Sequence, residues 1–213
     1  MFECSRAGRY TNEWVKKDIK MENYVMNDVY EKCPDIETDK VLLRPACKED
    51  SGQLLKIYSD KNALPFFNSD NCHGDNFYYP TKEKMDSAID FWLDSYQKKW
   101  FVRWVIVDKA SSIIIGSVEL FHRCADDDFN GVGVLRIDLG SDCEKSSVIK
   151  NVLDAIVPPA YEMFECEEII SKVPIYAVER IEAFSDYGFR KSEKFLVGTI
   201  DHYAYKDYWT IHN

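Results

Sequence analysis

The 213-residue chain has no apolar run approaching the roughly 18–20 residues that cross a bilayer, so a spanning helix is excluded and no membrane partner is expected. It has no run of Lys and Arg. Its formal net charge is −10, which disfavours a nucleic-acid partner, because phosphate contacts need clustered cations. The seven cysteines, at 4, 33, 47, 72, 124, 143 and 166, are scattered and contain no CxxC pair. That pattern argues against a disulfide framework and against a zinc site, so no metal is expected, and reduced thiols point to the cytoplasm. The opening MFECSRAGRYTNEW lacks an apolar centre and does not read as a secretory signal. There is no internal repeat and no low-complexity tract.

What is present is a core. Hydrophobic residues make up 46% of the chain, with 13 Tyr, 12 Phe and 5 Trp. A disordered chain cannot look like this, and the length suits one sizeable domain. An acidic surface also favours a cationic ligand such as an amine.

Residues 1–38 are polar and charged, with a partly helical spacing of apolar residues at Trp14, Val15, Ile19, Tyr24, Val25, Val29 and Tyr30. They read as an N-terminal extension or arm ahead of one domain over 39–213. VLLRPA (41–46) reads as a strand, and 48–58 as a helix with Glu49 and Asp50 in its first turn. A loop rich in Asn, Asp and aromatics follows at 64–80. Thr81 can cap a second helix, whose stripe is Met85, Ala88, Ile89, Trp92 and Tyr96. Three strand runs come next: 101–108, 112–123 and 131–139, the first two joined by a short turn. The linker CADDDFN before the third is polar and is expected to be exposed. A helix with Ile149, Val152, Leu153 and Ile156 on one face then runs into Pro158 and Pro159, which are expected to interrupt or restart it. EEIISKVP (167–174) reads as a strand. VERIEAFSDY (178–187) reads as a helix closed by Gly188. EKFLVGTI and HYAYKDYWTI read as two final strands.

This order resembles the GNAT superfamily of N-acetyltransferases. The resemblance is carried by VLLRPACKED, WVIVDKASSIIIGSVELF and RIEAFSDYGFRKSEKF, and spans about residues 39–211. Its details lean toward the branch that acetylates protein N-termini and related amines. It implies an α/β (α+β) fold, with a central mixed, mostly antiparallel sheet of six or seven strands flanked by four helices. It also implies acetyl-CoA as acyl donor. In that family two neighbouring parallel strands splay apart to hold the pantetheine arm. The pyrophosphate sits on the N-terminus of the next helix, where free N–H groups favour anions. The protein supplies position and electrostatics, and the cofactor the activated acyl group.

Carried onto this sequence, the splayed strands are Val134–Leu139 and Ile169–Val173, and the phosphate turn is LGSDCEKSSVI (139–149). The implied cofactor contacts are Ile137, Leu139, Glu144, Lys145, Ser146, Ser147 and Val148. The family places Arg or Gln and then two glycines in this turn. Here Glu144 repels an anion, and no glycine lies in 144–148. The alternative for this segment is a capped helix start with no ligand. The family's Asn before the fourth helix is replaced by Ala177, and its frequent Tyr acid by Phe184.

Glu119 lies in the strand where many GNATs direct a carboxylate toward the amine. Alternation puts it on one face with Ser117 and Phe121, so it is the candidate base, acting through a water; a structural salt pair is the alternative. His122 is a second candidate at the strand end. The loop 66–79 would shape the acceptor pocket. The expected activity is acetyl-CoA-dependent acetylation of a primary amine, on a small molecule or a protein N-terminus. The alternative is a GNAT-fold protein without catalysis, serving as a binding or regulatory module. A homodimer is left open.

Overall fold

A computed structural model describes residues 28–213. The arm residues Trp14, Val15, Ile19, Tyr24 and Val25 lie outside the described residues. From Asp28 on, the arm packs against the domain. Val29 is buried, Tyr96 donates to its carbonyl at 2.9 Å, and the Trp104 indole donates to the Pro34 carbonyl at 2.9 Å.

The elements in order are β1 (Ile36–Glu37), β2 (Val41–Pro45), α1 (Ser51–Tyr58), α2 (Lys82–Gln97), β3 (Val102–Asp108), β4 (Ile113–Arg123) and β5 (Val132–Leu139). Then come α3 (Ser146–Met163), β6 (Glu168–Lys172), α4 (Val178–Tyr187), β7 (Arg190–Lys191), β8 (Leu196–Val197), β9 (Ala204–Tyr205) and β10 (Tyr208–His212). Eight strands form one sheet in the order β1-β2-β3-β4-β5-β6-β10-β7, and β8-β9 form a separate hairpin. Among the described residues only β5 and β6 are parallel, and all the other pairs are antiparallel. A parallel pair needs a crossover, and α3 supplies it. The expected mixed sheet flanked by four helices is present. The strand count rises to eight because the two-residue β1 and β7 join its edges.

Strand alternation divides the core. Trp104 and Ile106 of β3, Val118 and Leu120 of β4, and Leu135, Ile137 and Leu139 of β5 pack with α3 and α4. On the opposite face, Val105 and Ile114 pack with α1, α2 and the 64–80 loop. The central strands are covered on both faces.

Local signals account for the helix ends. The Thr81 side chain accepts from the Lys84 N–H, as an N-cap does. Gly188 closes α4 at φ +120°, with its N–H and that of Phe189 returning to the Phe184 carbonyl.

Two expectations are corrected. Pro158 and Pro159 do not end α3, which runs through to Met163. Two amide donors are lost, but Ala155, Ile156, Val157 and Ala160 are buried around the pair, and tertiary packing overrides the local cost. The linker CADDDFN is not wholly exposed: Phe129 is buried against Tyr208 at 5.8 Å. Asp127 pairs with Arg123, which also donates to the Phe129 carbonyl at 2.7 Å.

Gly188→Ala is expected to destabilise the domain by about 1–3 kcal/mol, since φ +120° is strained for any residue with a Cβ. Urea denaturation of the two proteins checks this.

Candidate functional site

The parallel pair β5–β6 is in register only over Gly133↔Ile169, Val134↔Ile170 and Leu135↔Ser171. The pairing stops at Leu135↔Ser171, one residue before β6 ends at Lys172, while β5 continues to Leu139. β6 turns its other edge to β10, paired from Glu168 to Lys172.

Beyond Leu135 the β5 backbone meets a side chain of α4. Arg180 is almost fully buried, and its Nη1 donates to the Ile137 carbonyl at 3.0 Å. Its Nε and Nη2 donate to the two carboxylate oxygens of Glu144 at 2.7 and 2.8 Å. This is a two-pronged ion pair, the strongest geometry open to a guanidinium. Next to it, the exposed Glu179 puts Oε2 on the Ser146 N–H at 2.7 Å. A carboxylate at the first turn of a helix is stabilised by the free amides and the dipole.

The implied cofactor residues fall as follows. Ile137 and Leu139 are buried in β5, and the Ile137 carbonyl is bonded to Arg180. The Glu144, Lys145 and Val148 amides donate to the carbonyls of Ser141, Cys143 and Lys145 at 3.3, 2.8 and 3.0 Å. With the Ser146 amide on Glu179, four of the five amides at 144–148 are engaged within the chain. Lys145 and Ser147 are exposed. The turn therefore does not fit a pyrophosphate. Most of its amides are already engaged, and the carboxylates of Glu144 and Glu179 put negative charge beside it. Ala177 and Phe184 are buried, the latter against Phe189 at 4.8 Å.

Glu119 lies on the other face of the sheet. Arg103 (β3), Glu119 (β4) and Arg136 (β5) are directly opposite one another across the three strands. Both Glu119 oxygens are engaged, one by Arg103 and one by Arg136 at 2.7 Å, and the residue is only 2% exposed. Burial opposes its ionisation, but the two guanidinium groups outweigh it and hold the carboxyl below the usual range. A carboxylate bound in this way and shielded from solvent is poorly placed to take a proton from an amine. It sits in the salt pair that the sequence reading kept as an alternative. Arg103 Nη1 also reaches Tyr58 Oη, Ser117 Oγ and Asp138 Oδ2, each at 3.0 Å, and its guanidinium lies 4.4 Å from the Trp92 ring. Burial pushes the Asp138 carboxyl up, against the pull of Arg103. His122 is exposed, and its Nδ1 donates to the Phe164 carbonyl at 2.7 Å.

Next to this network is an open groove of about 510 Å³ between the 69–76 loop and the β8–β9 hairpin. Asp70, His73, Asp75, Asp201, Tyr203 and Tyr205 are among its lining. The Asn71 side chain ties the two walls, donating to Thr199 Oγ1 at 3.1 Å and accepting from the Ile200 N–H at 2.9 Å. The floor is fixed. Lys172 Nζ is 2.6 Å from both Asp70 oxygens, and Arg136 donates to the Asp70 carbonyl at 2.8 Å. The expected acceptor loop, 66–79, forms one wall of this groove; the hairpin wall, Glu179 and Arg180 were not among the expected site residues.

No protein-family model matches the chain. Among solved structures, the chain is similar to a GNAT-family acetyltransferase from Bacillus anthracis, with TM-score 0.62 and 10% identity over 84% of this chain and 98% of that one. It is similar to Mycobacterium smegmatis RimJ in complex with CoA-disulfide, with TM-score 0.63 and 14% identity over 84% and 86%. It is also similar to the microcin C7 self-immunity acetyltransferase MccE in complex with acetyl-CoA and AMP, with TM-score 0.59 and 13% identity over 83% and 94%.

Glu119→Gln should destabilise the domain at neutral pH by about 3–5 kcal/mol, because it leaves buried guanidinium charge uncompensated. The folded carboxyl titrates below its unfolded value of about 4.3, so its stabilisation is present above that pH and is lost as pH falls through the folded value. Melting curves from pH 7 to pH 3 should therefore decline less steeply for Glu119→Gln than for wild type. These likenesses, all at low identity, establish one thing about the chain: it has the GNAT acetyltransferase fold.

Proposed function

We propose that this chain is a GNAT-fold binding module that does not carry out acetyl transfer, and that it takes a primary amine or a peptide N-terminus in the groove beside the β8–β9 hairpin. The observation that carries this reading is the Glu179 carboxylate on the Ser146 amide, beside the Glu144–Arg180 pair. In the GNAT resemblance that place belongs to the cofactor's pyrophosphate, and a second anion there meets like charge. The groove supports the ligand class. Asp75 and Asp201 supply negative charge, Tyr203 and Tyr205 supply aromatic faces, and the chain's net charge of −10 has the complementary sign for a cation.

A second reading is favoured by the end of β5–β6 pairing at Leu135↔Ser171, which leaves the rest of β5 without a strand partner on that edge. In it the chain is an acetyl-CoA-dependent N-acetyltransferase acting on the same amine or N-terminus in the cytoplasm, as RimJ-like and MccE-like folds suggest by analogy. That reading requires the ion pair to give way before a cofactor enters.

Calorimetry with CoA and with acetyl-CoA at millimolar concentration is expected to give no binding, and mass spectrometry no acetylated product. Micromolar binding together with acetyl transfer would establish the second reading and sink the first. For the groove, a short peptide with a free N-terminus should bind more tightly than its N-acetylated form. Asp75→Asn with Asp201→Asn should weaken the free peptide by roughly tenfold, as expected for losing a charge-assisted contact. Equal binding of the two peptides would exclude the ammonium group as the recognised feature.

A further inference from the structure

The β8–β9 hairpin forms the outer wall of the groove and stands apart from the main sheet. Each of its strands is two residues long, and an isolated hairpin is marginal in water. Apolar packing adds one anchor. Leu196 is buried in a cluster with Phe129 and Tyr208, whereas Phe195, Val197, Ile200 and Tyr203 are exposed. The hairpin is therefore fastened largely by polar contacts.

The buried Arg123–Asp127 pair makes the first of these, and it acts on one residue. Arg123 Nη2 donates to the Val197 carbonyl at 2.7 Å, and Asp127 Oδ2 accepts from the Val197 N–H at 2.7 Å. Both backbone groups of Val197 are thus met by one charged pair, much as a neighbouring strand would meet them. The next residue is Gly198. A Cβ there would collide with Asp201 Oδ1 and lie 2.9 Å from Asn71 Oδ1, so the backbone approaches this closely only because the residue is glycine. Asp201 is a groove carboxylate, aimed by the Tyr203 N–H at 3.0 Å and by Tyr205 Oη at 2.5 Å. Asn71 is the tie to the facing loop.

We propose, resting on the reading of the groove as the ligand site, that Arg123, Asp127 and Gly198 are positioning residues for recognition there. The ion pair fixes the hairpin at Val197, and Gly198 passes that placement to the Asp201 carboxylate and to the Asn71 tie. None of the three lines the groove. Their effect on a ligand runs through the carboxylate they place, because a charge-assisted contact weakens as soon as its geometry loosens.

Amide hydrogen exchange of the ligand-free protein reads the fastening. In Arg123→Met the Val197 and Ile200 amides should exchange at least roughly tenfold faster, over and above any change in the β3 and β4 amides that report global opening. Gly198→Ala keeps the ion pair, so Val197 should stay protected while Ile200 loses protection. Unchanged exchange at Val197 in Arg123→Met would overturn the fastening, and unchanged exchange at Ile200 in both variants would overturn its transmission. If Arg123→Met does not fold, Asp127→Asn, which keeps the volume, makes the same comparison. For the ligand, a tetrapeptide with a free N-terminus and its N-acetylated form are titrated into wild type and both variants. The free form should lose roughly tenfold in affinity while the acetylated form binds as it does to wild type. An unchanged preference, or an equal loss for both peptides as a general loss of structure would give, would overturn the positioning role. Wild type that does not distinguish the two peptides would remove the amine reading of the groove, while the Val197 and Ile200 amides would still decide the fastening.

Discussion

A charge taken out of water must be paired, and the two faces of β5 are organised by that constraint. On one face Arg136 and Asp138 project from β5 into a row that also holds Arg103, Ser117 and Glu119. On the other, the Ile137 carbonyl meets Arg180, which needs Glu144. Each ionised group is closed off by a partner from a different element. The Arg103 row therefore ties β3, β4 and β5 to α1 through Tyr58, and the Arg180 pair ties α4 to the turn before α3. Removing one member leaves its partner as an unpaired buried charge, which couples the helices to the sheet more tightly than apolar packing alone.

Much of the frame was legible in the sequence because it is written locally. The apolar period of two marked β3, β4 and β5, the period of 3.6 marked α2 and α3, and Thr81 and Gly188 marked helix ends by chemistry that acts within four residues. What was not legible depends on contacts across the chain. Two adjacent prolines look like a stop, and only the buried residues around them explain why α3 continues. Phe129 sits among aspartates, and only Tyr208, far along the chain, explains its burial.

The site was half legible for the same reason. The absence of glycine from 144–148 and the acidic residue at 144 signalled a departure from the family that the sequence resembles, but not what Glu144 contacts. One signal was available. A glutamate in a turn that will be buried needs a cation, and Arg180 is the single basic residue within VERIEAFSDY. Reading the two together predicts the pair. Glu119 shows the opposite difficulty. A carboxylate on a central strand looks the same in sequence whether it awaits a substrate or a guanidinium. Arg103 and Arg136 decide it through strand register, which periodicity alone does not fix.

The two charge systems also differ in what they leave open. The α3–α4 side ends in a satisfied turn. The α1–α2 side ends in a groove whose floor is itself part of the buried network, because Asp70 is held by Lys172, by Tyr208 at 3.1 Å and, through its carbonyl, by Arg136. The groove's floor is thus held by residues of β5, β6 and β10, and its two walls by the Asn71 tie. One strand carries both systems: Arg136 of β5 reaches the groove floor on one face, and the Ile137 carbonyl of the same strand meets Arg180 on the other.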